Sequence, residues 1–212
     1  GSSDTLIALG YKFTNDTDEL RRRLDRAGIC FLHAPLFHPA MKAVVPVRKD
    51  LRVRTFFNIL GPLANPAQPK YQLFGTYGRG LSRLYHYLTQ EDPTRDCTIV
   101  HALDGYDEIS LTAGAEVRYS RGGTALLYPA HFDLPRLEAA SLHGGAGPED
   151  AKRIFLSVLD NRASAAQQDV VCANAGLAIH TIKPQVSLPD CVAEARVSIE
   201  SGAARRVLER ML

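Results

Sequence analysis

Three things are scarce in this sequence, namely charge imbalance, paired cysteines and long apolar runs, and each shortage argues against a class of protein. The 25 basic and 23 acidic side chains leave a formal charge of +2 over 212 residues. So small an imbalance supplies no field that would demand nucleic acid or an anionic membrane as partner. No apolar run approaches the length needed to span a bilayer, and no signal-peptide pattern opens the sequence, so a cytoplasmic location is expected. Cys30, Cys97, Cys172 and Cys191 stand far apart in apolar stretches, with no CxxC pair. That spacing speaks against a zinc site or a disulfide framework and for reduced core thiols. Gly78-Arg79-Gly80 and Gly144-Gly145 lack the Lys-Ser/Thr that completes a phosphate-binding loop, and both read as turns. No GxSxG nucleophile signature is present.

What is present is an ordinary globular balance, 45% hydrophobic against 23% charged residues. It is enough for one sizeable core. Apolar blocks of strand length alternate with stretches of helical period. Asp16 followed by Glu19 forms a capping-box pattern, and Gly28 closes the helix that carries Leu20 and Leu24. The continuous block Ile29-Cys30-Phe31-Leu32 suits a strand buried on both faces, and similar blocks recur at residues 72–76, 97–101 and 124–128. Pro148 opens a helix whose stripe runs through Ala151, Ile154, Phe155, Val158 and Leu159. Ser164 with Gln167 caps a second, apolar nearly all round and so expected to be central. A last helical region is expected to begin after Pro189 and to be interrupted by Gly202. Strands alternating with helices predict an α/β fold, a parallel or mixed sheet flanked by helices, as one domain over residues 1–212. Arg21, Arg22, Arg23 and Arg26 read as a solvated helix face, and His86 and His180 as structural helix residues.

Two loops at predicted strand ends carry chemistry, because ligands of open α/β sheets gather beyond the carboxyl ends of strands. The first runs from His101 through Asp104, Gly105, Tyr106, Asp107 and Glu108 to Ser110, with three carboxylates in five positions. Hard cations such as Mg²⁺ take carboxylate oxygens, waters and substrate phosphates, so the cluster is chemically apt. The competing reading is a polar turn in which Asp104 and Gly105 only make the bend. The second stretch holds His38-Pro39-Ala40-Met41-Lys42, then Pro46-Val47-Arg48, then residues 54–66, which read RTFFNILGPLANP. Pro39 can start a helix that Pro46 ends, leaving His38 at its cap and Arg48 beyond its end. Arg48 could pair with a carboxylate in a bidentate fork or could be a surface cation, and His38 could be no more than a cap.

Taken together, these stretches resemble the signature segments of anthranilate phosphoribosyltransferases. Asp104-Gly105-Tyr106-Asp107-Glu108 looks like that family's DGxDE segment, and Gly1 to Gly10 and Ala166 to Ala175 also look similar, so the likeness covers essentially the whole chain. The resemblance implies a phosphoribosyltransferase-like fold of the nucleoside phosphorylase type. It also implies transfer of 5-phosphoribosyl from phosphoribosyl pyrophosphate to anthranilate, a step of tryptophan biosynthesis. Carried onto matching positions, Arg48 and His38 would meet anthranilate, Ser2 would meet phosphoribosyl pyrophosphate, and Asp107 with Glu108 would hold Mg²⁺. No general acid or base is implied.

The family's GTGGD, NxST and KHGNR segments have no counterpart in this sequence. The resemblance therefore implies a C-terminal part, with residues 1–28 a helical lead-in to a missing N-terminal region that would make a homodimer. The chain by itself is then expected to be inactive or nearly so. Two departures stand out: His33 where phenylalanine is common, and Arg52 where glycine is common. Rival readings are a pyrimidine nucleoside phosphorylase-like enzyme and a non-catalytic nucleic-acid binder. The acidic loop with the His38–Lys42 and Arg54–Pro66 run argues against the first, and the small net charge with the intact Asp107-Glu108 pair against the second.

Overall fold

The computed structural model describes residues 2–38 and 57–212. The chain divides into two compact units, one of residues 1–68, 145–155 and 203–212, the other of residues 69–144 and 156–202.

The first unit is helical. It holds α1 (Ser2–Ala8), α2 (Thr17–Ala27), the short α3 (Ala34–Phe37) and α4 (Phe57–Leu60), the start of α6 (Pro148–Leu159), and α9 (Ala203–Met211). α2 begins where the Asp16 carboxylate accepts from the amides of Asp18 and Glu19, at 2.9 and 3.0 Å, and it ends at Gly28. The reciprocal half of the predicted capping box is not made. The Asp16 amide donates to Thr14 instead, and Glu19 is taken by Arg22 and Arg23. Arg23 departs from the expected solvated face: its side chain keeps only 14% exposure, donates to the Lys12 carbonyl at 2.7 Å and lies over the Tyr11 ring.

The expected strand at Ile29–Leu32 does not form; the segment is an extended connector of half-buried and exposed residues. Among the described residues no strand pairs with it. Its Phe31 instead sets its ring edge-on to Tyr11, 5.3 Å between centroids. The described buried residues of the helical unit are Leu6, Tyr11, Leu20, Ala27, Leu208 and Met211, while Ile29 of the apolar block is exposed.

The second unit is built on a four-stranded mixed sheet, β1 (Tyr71–Gly75), β2 (Asp96–Ala102), β3 (Ala115–Tyr119) and β4 (Thr124–Leu127), in that spatial order. β1 and β2 are parallel, with Gly75 beside Val100, and the β2–β3 and β3–β4 pairs are antiparallel. The expected strands at 72–76, 97–101 and 124–128 are therefore β1, β2 and β4. β3 was not anticipated, because Ala-Glu-Val-Arg-Tyr is an alternating segment and not a continuous block. Its charged residues Glu116 and Arg118 share one face and pair at 2.8 Å.

Side-chain alternation along β2 separates two faces. On one, Phe74 of β1 meets Tyr85 of α5 (Arg79–Gln90), the crossover helix. On the other, Thr98 accepts from Thr181 of α7 (Ala165–Ile182) at 2.9 Å. Helices thus cover both faces, and β2 is buried along nearly its whole length, as a doubly covered strand must be. Gly78 is the residue before α5, so the Gly-Arg-Gly segment is a helix start and not a free turn.

α7 is central, as its all-round apolarity suggested, with Cys172, Ala173 and Leu177 fully buried. Its Ser164–Gln167 capping box is complete. It packs on α8 (Leu188–Glu200) so tightly that a Cβ at Gly176 would lie 2.8 Å from a Val192 methyl. Cys97, Cys172 and Cys191 are buried free thiols held above the ordinary thiol range by that burial, while Cys30 is half-buried.

His86, on α5, is 8% exposed, and its Nδ1 has no hydrogen-bond partner among the described residues. Burial first, and the Arg118 charge second, hold its pKa below the usual histidine value. The unfolded chain therefore binds more protons below about pH 6.5, so this group's contribution to stability is present above that pH and is lost as pH falls. In urea unfolding across pH 5–7.5, the His86→Leu variant is expected to show a shallower fall in stability than the parent. An unchanged slope would rule out His86 as its source.

Candidate functional site

The acidic loop predicted from sequence leaves the carboxyl end of β2, inside the second unit. Residues 103–108 turn sharply: the Gly105 amide donates to Ala102 at 3.0 Å, and the Ala102 amide to Tyr106 at 2.9 Å. Gly105 takes φ +97°, a conformation that side-chain-bearing residues seldom adopt. Asp104 is committed inside the loop. Its carboxylate accepts from the Ser110 hydroxyl at 3.0 Å and from the Thr112 hydroxyl. The three carboxylates thus divide, one bracing the turn and two, Asp107 and Glu108, presented at the surface.

Backbone contacts fix where those two stand. β1 ends at Gly75, against which the main chain of Asp107 lies so close that a Cβ on Gly75 would overlap the Asp107 carbonyl. The next strand-end residue, Thr76, donates its amide to the Val100 carbonyl at 2.9 Å and accepts from His101 Nδ1 at 2.9 Å. On the far side of the pair, the Asn174 side chain of α7 grips Ile109: Oδ1 accepts the Ile109 amide and Nδ2 donates to the Ile109 carbonyl, both at 2.8 Å.

Glu108 keeps an open surface, yet enough protein crowds its carboxyl to raise its pKa above the ordinary value, with the neighbouring Asp107 charge adding to the rise. Among the described residues no cation or hydrogen-bond donor is recorded against either carboxylate. Two carboxylates on adjacent residues suit a hard divalent ion, which neutralises their like charge and takes its remaining oxygens from water and phosphate. Among the described residues no cluster of three or more His, Cys, Asp or Glu gathers at one point. The donor set thus fits an ion shared with a phosphate-bearing ligand better than a closed protein cage.

The other anticipated residues fall elsewhere. Ser2 opens α1, exposed, and His38 closes α3 with Nε2 donating to the Ala64 carbonyl at 3.2 Å; both belong to the first unit. His33, where phenylalanine was expected, stacks flat on Phe13 with 4.4 Å between centroids, an aromatic role that either ring can fill. Arg48, Arg52 and the helix anticipated from Pro39 to Pro46 lie outside the described residues. In the sequence Asn174 stands only as the second-last residue of the Ala166–Ala175 segment, yet it carries a signal, since an amide side chain on the apolar part of a helix needs a partner.

The mixed sheet, the covering helices and the acidic loop define a class, and the family comparison agrees with it. The chain belongs to the glycosyl transferase family, a/b domain, which matches residues 1–205. Within it, the chain is similar to the anthranilate phosphoribosyltransferase of Cytophaga hutchinsonii, 53% identical over 204 residues, covering 96% of this chain and 62% of that protein. The Bacteroides fragilis enzyme of the same name is 49% identical over 213 residues, covering all of this chain and 63% of that one. Two solved structures superpose with TM-scores of 0.90 over the whole chain. One is anthranilate phosphoribosyltransferase from Thermus thermophilus, 32% identical with 63% of it covered. The other is that from Saccharomyces cerevisiae in complex with PRPP and Mg, 27% identical with 60% covered. The chain therefore spans about 62% of the length of the curated relatives it matches.

The contact at Gly75 yields a test. Gly75→Ala has no room, so either β1 or the acidic loop must shift, at a cost of about 1–3 kcal/mol. Denaturant unfolding should show that loss. A variant as stable as the parent would mean that the loop gives way freely.

Proposed function

We propose that the protein of which this chain forms all or part transfers 5-phosphoribosyl from phosphoribosyl pyrophosphate to the amine of anthranilate. The products are N-(5-phosphoribosyl)anthranilate and pyrophosphate, and the transfer is a step of tryptophan biosynthesis. The observation that carries this reading is the carboxylate pair at the end of β2, held on a braced loop with donors left for a phosphate-bound cation. Family membership and the named relatives support it.

In this reading Asp107 and Glu108 would hold Mg²⁺, which would supply charge stabilisation for the leaving diphosphate. The two carboxylates must be ionised to hold it, and the raised pKa of Glu108 makes binding tighten as pH rises past the ordinary carboxylate range. Arg48 takes the anthranilate carboxylate in a bidentate fork, which aims the amine at C1 and converts an encounter into an oriented reaction. His38 lines the aromatic acceptor's path, and Ser2 meets phosphoribosyl pyrophosphate. An arylamine is nucleophilic enough as it stands, and no side chain is assigned as general base. The protein acts as a cytoplasmic enzyme.

Calorimetric titration separates these roles on the 212-residue chain itself. Asp107→Ala should abolish the heat of Mg²⁺ with pyrophosphate while sparing anthranilate. Arg48→Ala should do the reverse. If both ligands bind both variants as they bind the parent, the assignment of these residues is wrong.

A further inference from the structure

Asn174 lies 65 residues from Ile109 in sequence and reaches it with both ends of its side-chain amide. The same Nδ2 also donates to the Val170 carbonyl one turn back at 2.9 Å, so two carbonyls and one amide converge on this side chain. A side-chain amide that matches a peptide group donor to acceptor and acceptor to donor fixes its distance and its orientation together. Ile109 follows Glu108 directly, and it is 2% exposed. On the other side of the pair, the Asp107 main chain abuts Gly75. The dipeptide that carries the two surface carboxylates is therefore clamped between the end of β1 and the middle of α7.

We infer that Asn174 is a positioning residue for the metal-binding pair. It touches neither ion nor substrate, and acts by holding the Ile109 peptide so that Asp107 and Glu108 present their oxygens to one cation in spite of their mutual repulsion. This rests on the proposed metal role of Asp107 and Glu108. Without the amide grip, the loop can relax by swinging the two carboxylates apart, which removes their common target. Groups that orient metal ligands without touching the metal commonly change affinity by about 10- to 100-fold when removed.

The test uses the 212-residue chain, Mn²⁺ as probe in the presence of pyrophosphate, and hydrogen exchange along residues 97–110. Asn174→Ala is expected to weaken Mn²⁺ affinity by about 10- to 100-fold. It should also speed amide exchange at residues 106–110 while β2 stays protected. Asn174→Ser is the milder companion, because a serine hydroxyl can bond the Val170 carbonyl and leaves only the Ile109 grip missing. Leu177→Ala, one turn along the same helix and fully buried, supplies a loss of stability that leaves the Asn174 side chain itself in place. If Leu177→Ala weakens Mn²⁺ binding as much as the Asn174 variants do, the effect is general destabilisation and the positioning role falls. Unchanged exchange at residues 106–110 in both Asn174 variants also overturns it. Asp107→Asn checks the reading beneath: if that variant binds Mn²⁺ as the parent does, the metal role of the pair is wrong, whatever Asn174 does to the loop.

Discussion

Two carboxylates on adjacent residues push each other apart, and a folded chain keeps them together only by holding the backbone on both sides of them. In this chain that hold comes from main-chain contacts. The parallel pairing of β1 with β2 sets Gly75 beside Val100, and the loop that follows β2 then passes directly over the glycine. On the opposite flank α7 reaches across with one amide side chain. The sheet register, the burial of α7 and the absence of a side chain at Gly75 are all needed for the loop to sit where it does. The order of the elements follows from the same need. A crossover helix returns the chain to a parallel neighbour, and the loop at its carboxyl end inherits the rigidity of both strands.

Much of this was legible in the residues. Helix limits were readable where a cap states them chemically: Asp16 and Gly28 around α2, Ser164 and Gln167 at the start of α7, Gly202 between α8 and α9. Strands were readable where burial on both faces made a continuous apolar block, as in β2. The same rule failed at Ile29–Leu32, because an apolar run of four residues specifies burial and not pairing; with helices around it and no strand alongside, it packs through Phe31 on Tyr11. It failed in the other direction at β3, whose alternation of Ala115, Val117 and the charged Glu116 and Arg118 is the signature of a strand with one polar face.

The acidic loop was visible as composition, but its division of labour was not. Nothing in the order Asp-Gly-Tyr-Asp-Glu says that Asp104 will spend its oxygens on Ser110 and Thr112 while the other two face outward. That depends on how the chain folds back after Ile109. Asn174 was beyond local reading for a similar reason, since its partner lies 65 residues away. Resemblance to a family pointed to the neighbourhood, and packing assigned the tasks within it. The resemblance held up over essentially the full chain, with close sequence relatives and near-superposable solved structures alike.

The buried thiols give this fold a built-in clock. Only a thiolate attacks an alkylating or disulfide reagent, and Cys172 and Cys191 are both fully enclosed and disfavoured as thiolates by that enclosure. Each can react only in moments when the packing around its helix opens, so its labelling rate counts those openings, whereas the half-buried Cys30 reports on the helical unit. A native chain therefore carries, without any engineered label, separate chemical timers for its two compact parts.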